Sequence, residues 1–184
     1  MPAQSNTLEL GSPAPDFVLT DPSGAVWELG KVAAPGQPVL VAFICNHCPY
    51  VVHIADALAA FASEYKDKGL AIVAISANDV RAYPQDSPDK MAEFARAHRF
   101  TFPYLYDETQ ETAKAYGAVC TPEFFLFDKD RKLAYRGQFD DTRPDRGAPT
   151  GADLRAAADA VLAGRRPSAE QKPAVGCSIK WKQA

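Results

Sequence analysis

The stretch Val39-Leu-Val-Ala-Phe-Ile-Cys45-Asn-His-Cys48-Pro-Tyr-Val-Val-His53 decides how this chain is read. Its first six residues are apolar without interruption and follow Pro38, the pattern of a strand buried on both faces. From Val51 the apolar positions Val51, Ile54, Ala55, Leu58, Phe61, Ala62 and Tyr65 recur at helical spacing, and Gly69 closes the run. A strand therefore hands over to a helix at two cysteines. Unpaired N–H groups and the positive end of the helix dipole stabilise an anion at such a junction, so a thiolate forms there easily. The i to i+3 spacing lets one sulfur reach the other and close a disulfide ring. His47 lies inside that ring, where a positive charge or a donated hydrogen bond stabilises a thiolate on Cys45 and makes the disulfide more oxidising. Pro49 suits the first helical position, which makes Cys48 the N-cap.

Moving outward, residues 16–19 and 26–29 form a hairpin across Asp21-Pro22-Ser23-Gly24. Residues 70–75 are a second β-branched apolar run. Ser87-Pro88-Asp89 starts a helix that extends to about His98, with Ser87 as N-cap. Residues 101–106 read as a strand, 108–116 as a helix stopped by Gly117, and 124–127 with 133–135 as a second hairpin. Residues 153–162 make a final Ala-rich helix. Alternating strands and helices define the class as α/β, a mixed central sheet flanked by helices with an N-terminal β-hairpin extension. The domain runs over residues 9–164, and 165–184 read as a linker and C-terminal tail.

The chain has 184 residues, 47% hydrophobic, with 20 Lys and Arg against 23 Asp and Glu. That is one domain, long enough to hold a core without a metal or disulfide staple. A net charge of -3 supplies no basic field for nucleic acid. The N-terminus lacks the basic and apolar regions of a secretory signal, and no apolar run approaches the ~20 residues that span a bilayer. The expected location is cytoplasmic, with no membrane partner. The four cysteines then suggest catalysis, redox sensing or metal before structure. A metal or copper-delivery reading takes Cys45, Cys48 and His53, with Cys120 or His47 as fourth ligand. No second Cys-x2-Cys pair supports it.

The strand and Cys45-Asn-His-Cys48-Pro49, with Cys120-Thr121-Pro122-Glu-Phe-Phe-Leu-Phe-Asp128, resemble the thioredoxin superfamily. The opening Gly11-Ser-Pro-Ala-Pro-Asp-Phe-Val-Leu19 is similar to the start of its AhpC/TSA branch, the peroxiredoxin-like redoxin-domain proteins. The resemblance implies a thioredoxin-like fold, a cis Pro122 packed against the cysteines, and a Thr121 that presents backbone to a thiol substrate. It implies that an exposed Cys45 attacks and a more buried Cys48 resolves the mixed disulfide. The implied function is a thiol-disulfide oxidoreductase cycling Cys45 and Cys48. It would need no bound cofactor, act on protein or small-molecule thiols and disulfides, and draw electrons from a thiol reductant not identified by the sequence. The alternative is an antioxidant thiol peroxidase that reduces peroxides. Cys48-Pro49 matches the peroxiredoxin pattern, but Cys45 stands where its Thr is expected, and Arg136 is the candidate partner for the peroxidatic sulfur.

Other residues have plainer readings. Cys120 reads as a packing thiol or a third redox thiol. Cys177 sits in a tail whose Ile179 and Trp181 suit docking on an apolar groove, which would make it an additional resolving thiol or a partner of Cys120. His53 reads as a half-buried surface side chain. His98, with Arg96 and Arg99, reads as the complement to a helix C-terminus. Asp86, Asp89, Asp107, Glu108, Asp140 and Asp141 read as scattered over loops and caps, and Glu123 as a solvated strand charge.

Overall fold

The computed structural model describes the backbone of residues 3–4 and all of residues 8–184. In chain order the elements are β1 (Ala3–Gln4), β2 (Val18–Thr20), β3 (Val26–Glu28), α1 (Leu29–Val32), β4 (Val39–Phe43), α2 (Pro49–Asp67) and β5 (Ala71–Ser76). Then follow a 3-10 turn (Pro84–Asp86), α3 (Pro88–Ala97), β6 (Tyr104–Tyr106), α4 (Glu111–Tyr116), β7 (Cys120–Thr121), β8 (Glu123–Phe127), β9 (Leu133–Gly137), α5 (Ala152–Leu162) and β10 (Val175–Ser178). Seven strands form the main sheet in the order β3-β2-β6-β5-β4-β8-β9. β4, β5 and β6 are parallel to one another; β8 pairs antiparallel with β4, and β9 antiparallel with β8.

The uninterrupted apolar run of β4 has its physical reason in this placement. Leu40, Ala42 and Ile44 face a core with Leu58 and Phe61 of α2, Met91 of α3 and Leu154 of α5. Val39, Val41 and Phe43 face the opposite core, with Leu29 of α1 and Ala113 and Tyr116 of α4. β8 divides the same way, Phe124 and Leu126 to one side and Phe125 and Phe127 to the other. Every residue of β4 and β8 is buried. At roughly 25 cal/mol per Å² of apolar surface, two such strands are the centre of the hydrophobic stabilisation.

The hairpin of β2 and β3 is present, and Ser87 Oγ accepts from the Lys90 N–H at the start of α3. Two expectations change. The helix read over 108–116 begins at Glu111, because Asp107 accepts from the Thr112 and Ala113 N–H groups and Gln110 takes a left-handed turn at φ 65°. Glu123 is fully buried, not solvated. Its Oε1 accepts from the Val119 and Cys120 N–H groups at 2.9 and 3.3 Å, backbone donors left over where the chain turns into β8.

The tail folds back onto the domain. At Gly137, φ 144°, an added Cβ would lie 2.1 Å from the Lys172 carbonyl, so glycine admits the returning backbone. β10 then lies between β1 and β7 in a second, three-stranded sheet. Ile179 enters the core beside β4, while Trp181 remains 38% exposed. Among the described residues no helix is long and apolar enough to cross a membrane.

Candidate active site

Cys45 follows β4 and Cys48 is the N-cap of α2, with Pro49 at its first position. The Thr121–Pro122 peptide is cis and lies against both sulfurs. Thr121 Oγ1 is 3.6 Å from Cys45 Sγ, and the Thr121 carbonyl oxygen is 3.4 Å from Cys48 Sγ. All four cysteines are free thiols.

The exposed Cys45 implied by resemblance is not found. Cys45 is 1% exposed and Cys48 0%. The protons are also distributed differently. The Cys48 thiol is brought down from 9.0 to about 5, chiefly by the hydrogen bond from Cys45, against the cost of burial. Smaller favourable contributions come from Cys177, the Val51 amide in the first helical turn and Thr121. Cys45 is pushed far up by the proton it shares with Cys48, by burial and by the Asp86 carboxylate. The two sulfurs titrate as a pair, with Cys48 lowered and Cys45 raised. The thiolate sits at the helix N-terminus, where the helix field favours it.

Asp86, read from sequence as one loop acid among several, is a fully buried member of the site. Its Oδ1 accepts from the Asn46 N–H at 2.8 Å, and its Oδ2 accepts from Asn78 Nδ2 at 2.9 Å. His47 Nδ1 lies 2.5 Å from Oδ2, and the imidazole stacks on Tyr83. His47 is thus directed to Asp86 and not to the Cys45 sulfur as a stabiliser of its thiolate. Tyr104 donates to Asn46 Oδ1 at 2.8 Å and completes the polar floor beneath the motif turn. Sequence offered no local sign of this role, since Asp86 reaches the motif from 40 residues away.

The remaining candidates separate. His53 Nε2 is 2.8 Å from Thr142 Oγ1, so the ligand set Cys45, Cys48 and His53 is not assembled. Among the described residues, Cys45, His47 and Asp86 bring three ligand atoms within 4.8 Å, one fewer than a closed structural zinc site takes. Arg136, on the outermost strand β9, donates to the Leu8 carbonyl. Cys120 is buried with its sulfur against Glu123 Oε1 and the Ala174 carbonyl, and burial pushes its thiol up. Cys177 lies opposite Thr121 in the β10–β7 register, on the strand that pairs with the residue touching both motif sulfurs.

A buried dithiol at the N-terminus of the helix after a central parallel strand, faced by a cis proline, defines a redox protein of thioredoxin-like fold. The chain belongs to the AhpC/TSA family, whose profile matches residues 10–136. It is 28% identical over 131 residues to the thiol-disulfide oxidoreductase ResA of Bacillus cereus, which covers 71% of this chain and 70% of that one. Among solved structures, a hypothetical protein from Sinorhizobium meliloti 1021 superposes with a TM-score of 0.95 at 50% identity, over 98% of this chain and 99% of that one. A conserved protein from Geobacillus kaustophilus gives a TM-score of 0.95 at 49% identity, over 100% and 98%.

Proposed function

We propose that this protein is a thiol-disulfide oxidoreductase that cycles Cys45 and Cys48 between dithiol and disulfide. The observation that carries the reading is the pair of sulfurs at the start of α2, Cys48 as its N-cap, with the cis Thr121–Pro122 peptide against both. Family membership and the likeness to ResA support it. The Cys48 thiolate attacks one sulfur of a substrate disulfide; that S–S bond breaks, the departing thiolate takes a proton from water, and a mixed disulfide forms on Cys48. Cys45 then loses its proton and attacks Cys48, the mixed disulfide breaks, and the second substrate thiol leaves. Two electrons have passed from the protein dithiol to the substrate. The Asp86–His47 pair, within 4.8 Å of Cys45 Sγ, is the acceptor for that proton. The fit of substrate thiols to the edge beside Thr121 belongs to the same proposal.

The test is exchange of the reduced protein with an aromatic disulfide reporter. Cys48→Ser is expected to lose exchange by roughly three orders of magnitude, while Cys45→Ser still takes the reporter on Cys48 and releases its first thiol. Full exchange by Cys48→Ser, with capture at Cys45, would overturn the assignment of the attacking sulfur. A wild-type protein that never closes a Cys45–Cys48 disulfide would overturn the function.

A further inference from the structure

Of the four thiols, Cys45, Cys48 and Cys120 are buried and only Cys177 reaches solvent. Cys177 is therefore the thiol that an external reductant meets first. Cys177 is placed against that motif by three separate features. β10 pairs with β7 so that Cys177 lies opposite Thr121, the residue that touches both motif sulfurs. Gly176 lets the two backbones approach so closely that an added Cβ would sit 1.9 Å from the Thr121 carbonyl oxygen. Beyond β10, Lys180 N–H donates to Asn78 Oδ1, and Asn78 donates to Asp86, so the tail is tied through two polar side chains to the motif turn itself.

We propose that Cys177 is the exit thiol of a three-cysteine relay, carrying the disulfide from the buried Cys45–Cys48 pair to the protein surface. The relay rests on the oxidoreductase reading above and extends it. In the first step the Cys177 sulfur attacks Cys48. The Cys45–Cys48 bond breaks, a Cys48–Cys177 bond forms, and Cys45 takes up a proton in place of the one Cys177 gave up, with no net change of oxidation state. In the second, a small thiol reductant attacks the Cys177 sulfur, Cys48 leaves as thiolate, and Cys177 holds the mixed disulfide. A second reductant thiol then attacks the reductant's sulfur, Cys177 is released as a thiol, and the reductant departs as its disulfide. Two electrons have entered the protein.

Charge supports the second step, in which Cys48 is expelled. Cys48 is the low-pKa sulfur, and a low-pKa thiol is the better leaving group. In the reduced state the Cys177 thiol is pushed up to about 12, first by burial and then by its bond to the charged Cys48. Once Cys48 is in a disulfide its charge is gone, so Cys177 ionises more easily in the state where it must attack.

The test uses the full chain in a redox buffer of reduced and oxidised glutathione, with acid quenching, alkylation and mass mapping. In Cys45→Ser the expected product is an internal Cys48–Cys177 disulfide. In Cys177→Ser, which keeps a hydroxyl donor toward Cys48, the Cys45–Cys48 disulfide still forms but glutathione reduces it at least about tenfold more slowly than in wild type. If wild type closes Cys45–Cys48 while Cys45→Ser leaves Cys48 and Cys177 free or only glutathionylated, the relay is wrong and the oxidoreductase reading stands. Unchanged reduction of Cys177→Ser likewise overturns the relay. If wild type closes no Cys45–Cys48 disulfide, both fall together.

Discussion

The motif turn at residues 45–48 and the strand β10 bring sulfur to the same place by opposite means. The turn is made by its own neighbours in sequence. β4 runs out at Phe43, Pro49 begins α2, and Cys48 is left at the helix N-terminus with its charge favoured by the helix it caps. β10 has no such local logic. It is a strand because β1 and β7 pair with it, and it stays because Ile179 is buried and the Asp79 N–H donates to the Lys180 carbonyl at 2.8 Å. One thiol is tuned by its helix, the other held by distant partners, and disturbing each should give different symptoms.

The largest effect is expected from breaking the tail's contact without touching a cysteine. Gly176→Val places side-chain atoms against the Thr121 carbonyl and forces β10 away, so alkylation of Cys48 by iodoacetamide should accelerate on the order of a hundredfold. Gly30→Ala, where an added Cβ meets nothing within 4 Å, is the control and should leave the rate unchanged. Equal alkylation rates in the two variants would mean that β10 does not screen the motif.

A smaller effect is expected on the turn's side. Asp86→Asn removes the proton acceptor beside Cys45 but keeps a polar side chain in its place. Capture of a disulfide by Cys48 should persist while closure by Cys45 slows by at least about tenfold, measured by stopped-flow release of the second thiol. Unaltered closure would assign Asp86 to structure alone.

That division also explains what was legible in the sequence. The buried strand, the helix after it and the cysteine pair announce themselves through runs, periodicity and spacing, all properties of contiguous residues. Val175-Gly-Cys-Ser178 has neither alternation nor β-branched enrichment, so nothing local marks it as a strand. Asp86 and Glu123 failed for the same reason. A carboxylate is read as solvated unless its partners are known, and here those partners are backbone amides and side chains brought in by the tertiary fold. The choice between sulfurs was likewise beyond reach, because it depends on the contact between Cys45 and Cys48, on burial and on Asp86 standing beside Cys45.

The smallest effect concerns pH. Cys48 has its pKa lowered to about 5, so above that pH the reduced pair holds one proton, and below it two. The reduction potential should change by about 30 mV per pH unit between pH 5 and 8, steepening to about 59 mV below pH 5. The stability that a depressed thiol lends the reduced fold is fully present above its ordinary 9.0 and is lost as pH falls through about 5. Reduced protein should therefore lose melting temperature relative to the disulfide form between pH 7 and pH 4. A uniform slope of about 59 mV from pH 4 to 8 would mean that both motif sulfurs stay protonated throughout that range.

The most direct test of the account is thiolate absorbance at 240 nm followed from pH 3 to 9 in wild type, Cys45→Ser and Cys48→Ser. The account expects an acid-range transition near pH 5 in wild type, retained in Cys45→Ser, whose hydroxyl is still a donor toward Cys48, and abolished in Cys48→Ser. An acid-range transition that survives in Cys48→Ser and disappears in Cys45→Ser would place the charge on Cys45 and contradict it.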